Sequence, residues 1–216
     1  MKIFIDTAIT EEIKKASELG IISGVTTNPS LLKKSGRSLN DVIQEILTLV
    51  KGPVSAEVKE DNAENMYKQA KEIVKMTNNC PYITIKLPMT QEGIKVCKKL
   101  SEEGIKTNVT LIFSVSQAVL AMEAGATFIS PFMGRMDDFY KNNEAGFELI
   151  KKIKQVKDEY GYQSKIIAAS IRNVNHVEQA SLAGSDIATI PYKVIEEMFD
   201  HELTTRGLQI FKDAEK

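Results

Sequence analysis

Short apolar runs alternate along this chain with longer stretches in which apolar positions recur every three or four residues. The runs predict strands buried on both faces, and the longer stretches predict amphipathic helices. Their alternation predicts βα units around a parallel sheet. Strands are expected at residues 2–6, 21–26, 53–58, 82–87, 105–111, 126–132, 165–170 and 186–190. Helices are expected at 10–19, 38–51, 62–77, 90–103, 114–124, 143–159, 174–183 and 191–200. Eight units and a leftover helix at 203–214 predict an α/β fold, a single (β/α)8 TIM barrel over residues 1–216 with an additional C-terminal helix. Thr10 with Glu12 nearby, Asn62 and Ser114 are the expected caps. Gly20, Gly104, Gly125 and Gly184 each follow a predicted helix, where a left-handed residue closes the last turn. No Pro/Ser-rich linker or composition break suggests a second domain.

Alternate residues of a strand share a face, and in a barrel one face meets the helices while the other fills the interior. Ile83, Ile85 and Leu87 form an outward apolar set, which turns Tyr82, Thr84 and Lys86 inward. By the same parity Phe4 and Asp6 face inward between Ile3 and Ile5, and Ser55 and Glu57 do so among Val54, Ala56 and Val58. Asn108 and Thr110 are inward against Val109 and Leu111. The sixth strand is expected to turn Phe128, Ser130 and Phe132 inward; the seventh, Ala168 and Ser170, with Arg172 continuing the parity just beyond. Asp6, Glu57, Lys86, Asn108, Thr110, Ser130 and Ser170 then converge at the C-terminal strand ends, the face on which barrel enzymes build their sites.

Each residue has a plainer reading. An inward Ser or Thr at a barrel rim is commonly a hydrogen-bonded filler, Asp6 can cap the following turn, and Glu57 with Lys86 can form a structural ion pair. His176 and His201 fall in predicted helices and read as surface or helix-end residues. What weakens the plainer readings is that all would have to converge on one end of one barrel.

The chain of 216 residues carries 28 basic and 29 acidic side chains, net charge −1, interspersed. This balance offers no basic face for nucleic acid and no polybasic membrane anchor, so small molecules and copies of itself are the expected partners. Cys80 and Cys97 are the two cysteines, in no CxxC or Cys/His cluster, which suits a reducing compartment. The strand-like Lys2–Asp6 at the start leaves no room for a signal segment, and a cytoplasmic protein is expected.

A lysine carried inward on an apolar strand demands a reason. Burial of an amine favours its neutral form, which attacks carbonyls. Carboxylates beside Lys86, without a metal-ligand cluster or a Gly-rich cofactor loop, suggest amine catalysis with no metal and no cofactor. Arg135 and Arg172, each just past a strand end, together with N–H groups of following helix starts, suit a phosphate monoester. Each arginine alone is more commonly a surface ion pair.

Phe4-Ile-Asp6-Thr-Ala, Gly24-Val-Thr-Thr-Asn-Pro-Ser30, Ser55-Ala-Glu57-Val, Ile85-Lys86-Leu-Pro-Met-Thr90, Thr107-Asn-Val-Thr-Leu-Ile112, Ser130-Pro-Phe-Met-Gly-Arg135 and Ala168-Ala-Ser-Ile-Arg172 resemble the short-chain transaldolases, a group that includes fructose-6-phosphate aldolases. The resemblance covers residues 2 to 213 in order. It implies a class I barrel in which Lys86 forms a Schiff base with a ketose phosphate and Asp6 exchanges a proton with the C4 hydroxyl. Glu57 would shuttle protons through a water held by Thr110. Asn28, Asn108 and Ser130 would bind the dihydroxyacetone unit, and Arg135, Ser170 and Arg172 the phosphate. It also implies a homo-oligomer, with decamers typical of the group and the C-terminal helix packing on a neighbour.

Aldolase members resemble this chain but have Gln at the position of Glu57, Tyr at that of Phe132, and no Asn in the segment Thr107 to Thr110. All three features here are transaldolase-like. The resemblance thus implies transfer of dihydroxyacetone from sedoheptulose 7-phosphate or fructose 6-phosphate to glyceraldehyde 3-phosphate or erythrose 4-phosphate, in the pentose phosphate pathway. The alternatives are a fructose-6-phosphate aldolase, which releases free dihydroxyacetone, and a non-catalytic sugar-phosphate-binding module.

Overall fold

The computed structural model describes residues 1–214. Among them, eight parallel strands pair in sequence order and close into a barrel, so the expected α/β barrel is the observed one. The order is β1 (Lys2–Asp6), α1 (Thr10–Glu18), β2 (Ile22–Thr26), α2 (Pro29–Ser35), α3 (Leu39–Leu49), β3 (Val54–Glu57), α4 (Ala63–Met76), β4 (Ile83–Pro88), α5 (Gln91–Glu102) and β5 (Thr107–Ile112). It continues with α6 (Val115–Glu123), β6 (Phe128–Pro131), α7 (Met133–Tyr140), α8 (Ala145–Glu159), β7 (Lys165–Ala168), α9 (Val174–Leu182), β8 (Ile187–Ile190), α10 (Tyr192–Glu197) and α11 (Glu202–Ala214).

Two apolar layers follow from strand parity. Ile5, Val25, Val54, Ile85, Val109 and Ile129 pack outward against the helices in one large core. Phe4, Phe128, Ile167 and Ile187 form a separate plug inside the barrel. Phe4 fits because its neighbour Gly24 has no side chain: a Cβ there would lie 2.6 Å from the Phe4 ring and 2.7 Å from the Pro53 carbonyl oxygen. The plug closes the lower interior and leaves the polar residues above it at the C-terminal end.

Local chemistry sets the helix ends. The side chains of Asn62 and Ser114 accept the N–H groups of Asn65 and Gln117, as expected of caps. Gly20, Gly104, Gly125 and Gly184 all take the positive φ that their positions suggest. Thr10 does not cap: it is the first residue of α1, and Ile9 precedes it without a side-chain bond. Thr7 serves instead, accepting the Ile9 N–H at 3.1 Å and donating to Glu12 at 2.5 Å.

The short helices α2 and α7 were not expected. Seven and eight residues are too few to display a full apolar period. For α2 a signal is nonetheless present: Asn28 caps it, Pro29 occupies its first turn, and Gly36 ends it with φ 66°. Three parity readings also need correction. In β7 it is Ile167 that joins the interior plug, whereas Ala168 packs with Ile166 on the helix side. Leu111, expected outward, sits at φ 63° where the β5–β6 register slips, and lines the cavity mouth. Tyr82 precedes β4 and is exposed rather than inside.

Candidate active site

The site is built at the level where the registers coincide. Glu57 on β3 pairs with Lys86 on β4, which pairs with Asn108 on β5, and Asp6 pairs with Thr26 on β2. One row up, Pro88, Thr110 and Ser130 align. Parallel strands in this register point like residues to one level of the interior, so the sequence positions alone bring these side chains together.

Lys86 is only 6% exposed. Its ammonium lies 2.9 Å from Glu57 Oε2 and donates to the Thr27 carbonyl at 3.1 Å. Two of its three donors are thus engaged on one side, and the nitrogen borders a cavity of about 450 Å³. The ion pair anticipated as a structural alternative exists, but it forms part of a cavity wall, where a purely structural pair has no need to be.

Asp6 borders the same cavity and accepts from Thr26 Oγ1 at 2.6 Å. Since that hydroxyl has one proton to give, Thr189 Oγ1, 2.5 Å from it, is the donor of the second bond. Burial raises the Asp6 carboxyl above its ordinary range; the charge of Lys86 and the Thr26 bond lower it, and nearby Glu57 raises it again, leaving a net increase. A carboxylate so placed is suited to take and return a proton. The signal for Thr26 and Thr189 is parity again: Val25 in β2 and Ala188 and Ile190 in β8 pack on the helix side, which turns both threonines inward.

Thr110 Oγ1 is buried without a hydrogen-bond partner and lines the cavity, as Glu57 does. A buried, unsatisfied hydroxyl on a cavity that a carboxylate also lines is a seat for water. Asn108 lies deeper, fully buried: its amide donates to Ser55 Oγ at 3.2 Å and its carbonyl accepts from Ser130 Oγ at 2.7 Å. Ser130 reaches the cavity, whereas Asn108 is not among its lining residues. Asn28 does line it, with its carbonyl already capping α2 through the Leu31 N–H.

On the far wall stand Phe132, Arg135 and Ser170. Phe132 packs edge-on against Phe113 at 5.6 Å, and the Arg135 guanidinium lies 5.0 Å from its ring. The residues with described side chains leave Arg135 without an ion-pairing carboxylate. Ser170 does not arrive by strand parity: β7 ends at Ala168, and Ser170 reaches the cavity through a left-handed backbone, φ 60°. Arg172 stands outside the lining residues, paired with Asp138 at 2.5 Å. The first two N–H groups of α7 are spent on the carbonyls of Ala169 and Ser170 and are not free to meet an anion.

Comparison with known proteins bears on this arrangement. Residues 3–216 match the family described as Transaldolase/Fructose-6-phosphate aldolase. The chain belongs to that family. It is 56% identical over 214 residues to a probable transaldolase of Agathobacter rectalis, covering 98% of this chain and 96% of the relative. A probable transaldolase of Geobacter sulfurreducens is 54% identical over 216 residues, covering 100% of this chain and 98% of the relative. One from Lactiplantibacillus plantarum is 54% identical over 211 residues, 98% of this chain and 94% of the relative. The chain is therefore a transaldolase-type enzyme.

Proposed function

We propose that this protein is a transaldolase that carries a dihydroxyacetone unit as an imine on Lys86. The donor is sedoheptulose 7-phosphate or fructose 6-phosphate, and the acceptor is glyceraldehyde 3-phosphate or erythrose 4-phosphate, as in the non-oxidative pentose phosphate pathway. The observation that carries this reading is a buried lysine, 2.9 Å from a carboxylate, across one cavity from an arginine that has no carboxylate partner among the described residues.

In this mechanism Glu57 takes a proton from the Lys86 ammonium, and the amine attacks C2 of the ketose. The carbinolamine loses water to give the imine, with Glu57 and a water on Thr110 moving the protons. Asp6 accepts the C4 hydroxyl proton as the C3–C4 bond breaks; the aldose leaves, and its electrons remain on Lys86 as an enamine. Attack of the enamine on the acceptor aldehyde, with Asp6 returning its proton, and hydrolysis of the new imine complete the cycle. Ser130 and Asn28 border the dihydroxyacetone end, and Asn108 acts through Ser130. Arg135 and Ser170 bind the phosphate, with Arg172 joining them by leaving Asp138.

Transfer rather than release rests on Glu57 and Phe132. A phenylalanine ring has no donor with which to orient a water toward the enamine carbon, so the intermediate waits for an aldehyde. The exposed apolar residues of α11 support a homo-oligomer, and the two unpaired thiols support a reducing, cytoplasmic compartment. Fructose 6-phosphate supplied with and without erythrose 4-phosphate tests the function. Glyceraldehyde 3-phosphate should form only when the acceptor is present. Equal formation without it would make the protein an aldolase, and none in either case would leave a binding module.

A further inference from the structure

His176, expected at a surface or a helix end, lies in the first turn of α9, yet it is 5% exposed and faces a similarly buried acid. Its Nε2 lies 3.1 Å from Asp137 Oδ2, an oxygen with no hydrogen bond of good geometry. Asp137 Oδ1 accepts the N–H of Gly146, at the start of α8, at 2.8 Å. The other imidazole nitrogen, Nδ1, accepts the backbone N–H of Arg172 at 3.3 Å. Accepting there requires Nδ1 to be unprotonated, so the proton sits on Nε2, the tautomer that the Asp137 carboxylate favours.

The turn that His176 holds is the one carrying Ser170 and Arg172. A left-handed serine persists only where its surroundings over-determine it. Met133 N–H fastens the Ala169 carbonyl at 2.9 Å and Gly134 N–H fastens that of Ser170 at 3.1 Å, both from α7. Gly134 leaves room for this, since a Cβ there would meet the Ser170 oxygen at 2.5 Å and Arg172 Nε at 2.7 Å. His176 supplies the fastening on the other side of the strained residue.

We propose that His176, set in its tautomer by Asp137, is a positioning residue for phosphate recognition: it fixes the Ser170–Arg172 turn in the shape that presents Ser170 and Arg172 to an anion beside Arg135. This deepens the function proposed above and rests on it. Neither His176 nor Asp137 touches the substrate; both act through the turn.

Three substitutions separate this role from plain packing. His176→Gln keeps a donor toward Asp137 but removes the acceptor for the Arg172 N–H. Asp137→Asn keeps an acceptor for Gly146 while turning an amide donor toward Nε2, which drives the imidazole proton to Nδ1 and loses the same bond. His176→Asn keeps an acceptor near the Nδ1 position. Binding of inorganic phosphate, followed by 31P line broadening, should weaken roughly tenfold in His176→Gln and Asp137→Asn, and stay within about threefold of wild type in His176→Asn. The KM for glyceraldehyde 3-phosphate should rise in parallel, while kcat and the KM for unphosphorylated glyceraldehyde stay level. If His176→Gln does not fold, Asp137→Asn and His176→Asn carry the comparison. Unchanged phosphate affinity in the first two variants, equal loss in all three, or no phosphate binding by the wild type would each overturn the proposal. A protein that transfers normally but shows no such split sinks this inference and leaves the function; a split in phosphate affinity without any transfer does the reverse.

Discussion

Asp6 carries a cost that its proposed role explains. Burial holds its carboxyl above the ordinary value of 3.8, so the folded chain keeps that proton to a higher pH than the unfolded chain does. Where the native state binds more protons, stability falls as pH rises, so the loss begins near the unfolded value, grows through the raised folded value, and persists at neutral pH. Asp6→Asn should therefore melt higher than wild type at pH 7, the advantage shrinking as pH falls toward 3.8, while turnover drops on the order of 10²–10⁴-fold. Thermal melts across pH check it, and a variant that melts lower at pH 7 would contradict the stated balance of charges. Residues of this kind were legible because strand parity points them inward. His176 was not, since nothing local distinguishes a histidine facing an acid 39 positions earlier in the chain from one facing water. Arg172 was read as a phosphate ligand from its place after a strand; its pairing with Asp138 arises from α7, which the sequence did not disclose.

Among the elements, the strands of the barrel were readable because each is an apolar run between helix-end signals, and their sequential order follows from βα connections. Parity failed ahead of β4 at Tyr82 and within β7 at Ala168, and the backbone leaves regular strand geometry at the bulge by Leu111 and past the end of β7. Both irregularities border the cavity, and strained backbone gathers at sites whose surroundings can hold it. The β1–β2 contact packs closely beneath the site. Gly24→Ala places a methyl against the Phe4 ring and the Pro53 carbonyl. Overpacking of this kind costs about 1–3 kcal/mol, which lowers the melting midpoint by roughly 2–12 °C in a chain of this size. An unchanged midpoint in calorimetry would mean that the interior plug yields more easily than its geometry indicates.

Taken whole, the molecule directs polar chemistry to one end of its barrel and leaves one helix apart. Leu203, Ile210 and Phe211 fall on one face of α11 and are all more than half exposed. If that face packs on a neighbouring copy, Ile210→Glu combined with Phe211→Glu should reduce the mass in light scattering to a smaller multiple of the chain, with the barrel still folded by circular dichroism. A wild type that is already monomeric, or a variant with unchanged mass, would contradict that assembly. No helix of the described residues is long and apolar enough to cross a membrane. The account as a whole depends on Lys86 acting as a nucleophile rather than as half of a buried ion pair, and borohydride distinguishes the two, because it reduces an imine to a stable amine and leaves an ammonium untouched. With fructose 6-phosphate present, borohydride should inactivate the protein and leave a covalent sugar adduct that peptide mapping assigns to Lys86; Lys86→Arg should give no adduct and no turnover. An adduct on a different lysine only, or catalytically active protein that forms none, would contradict the account.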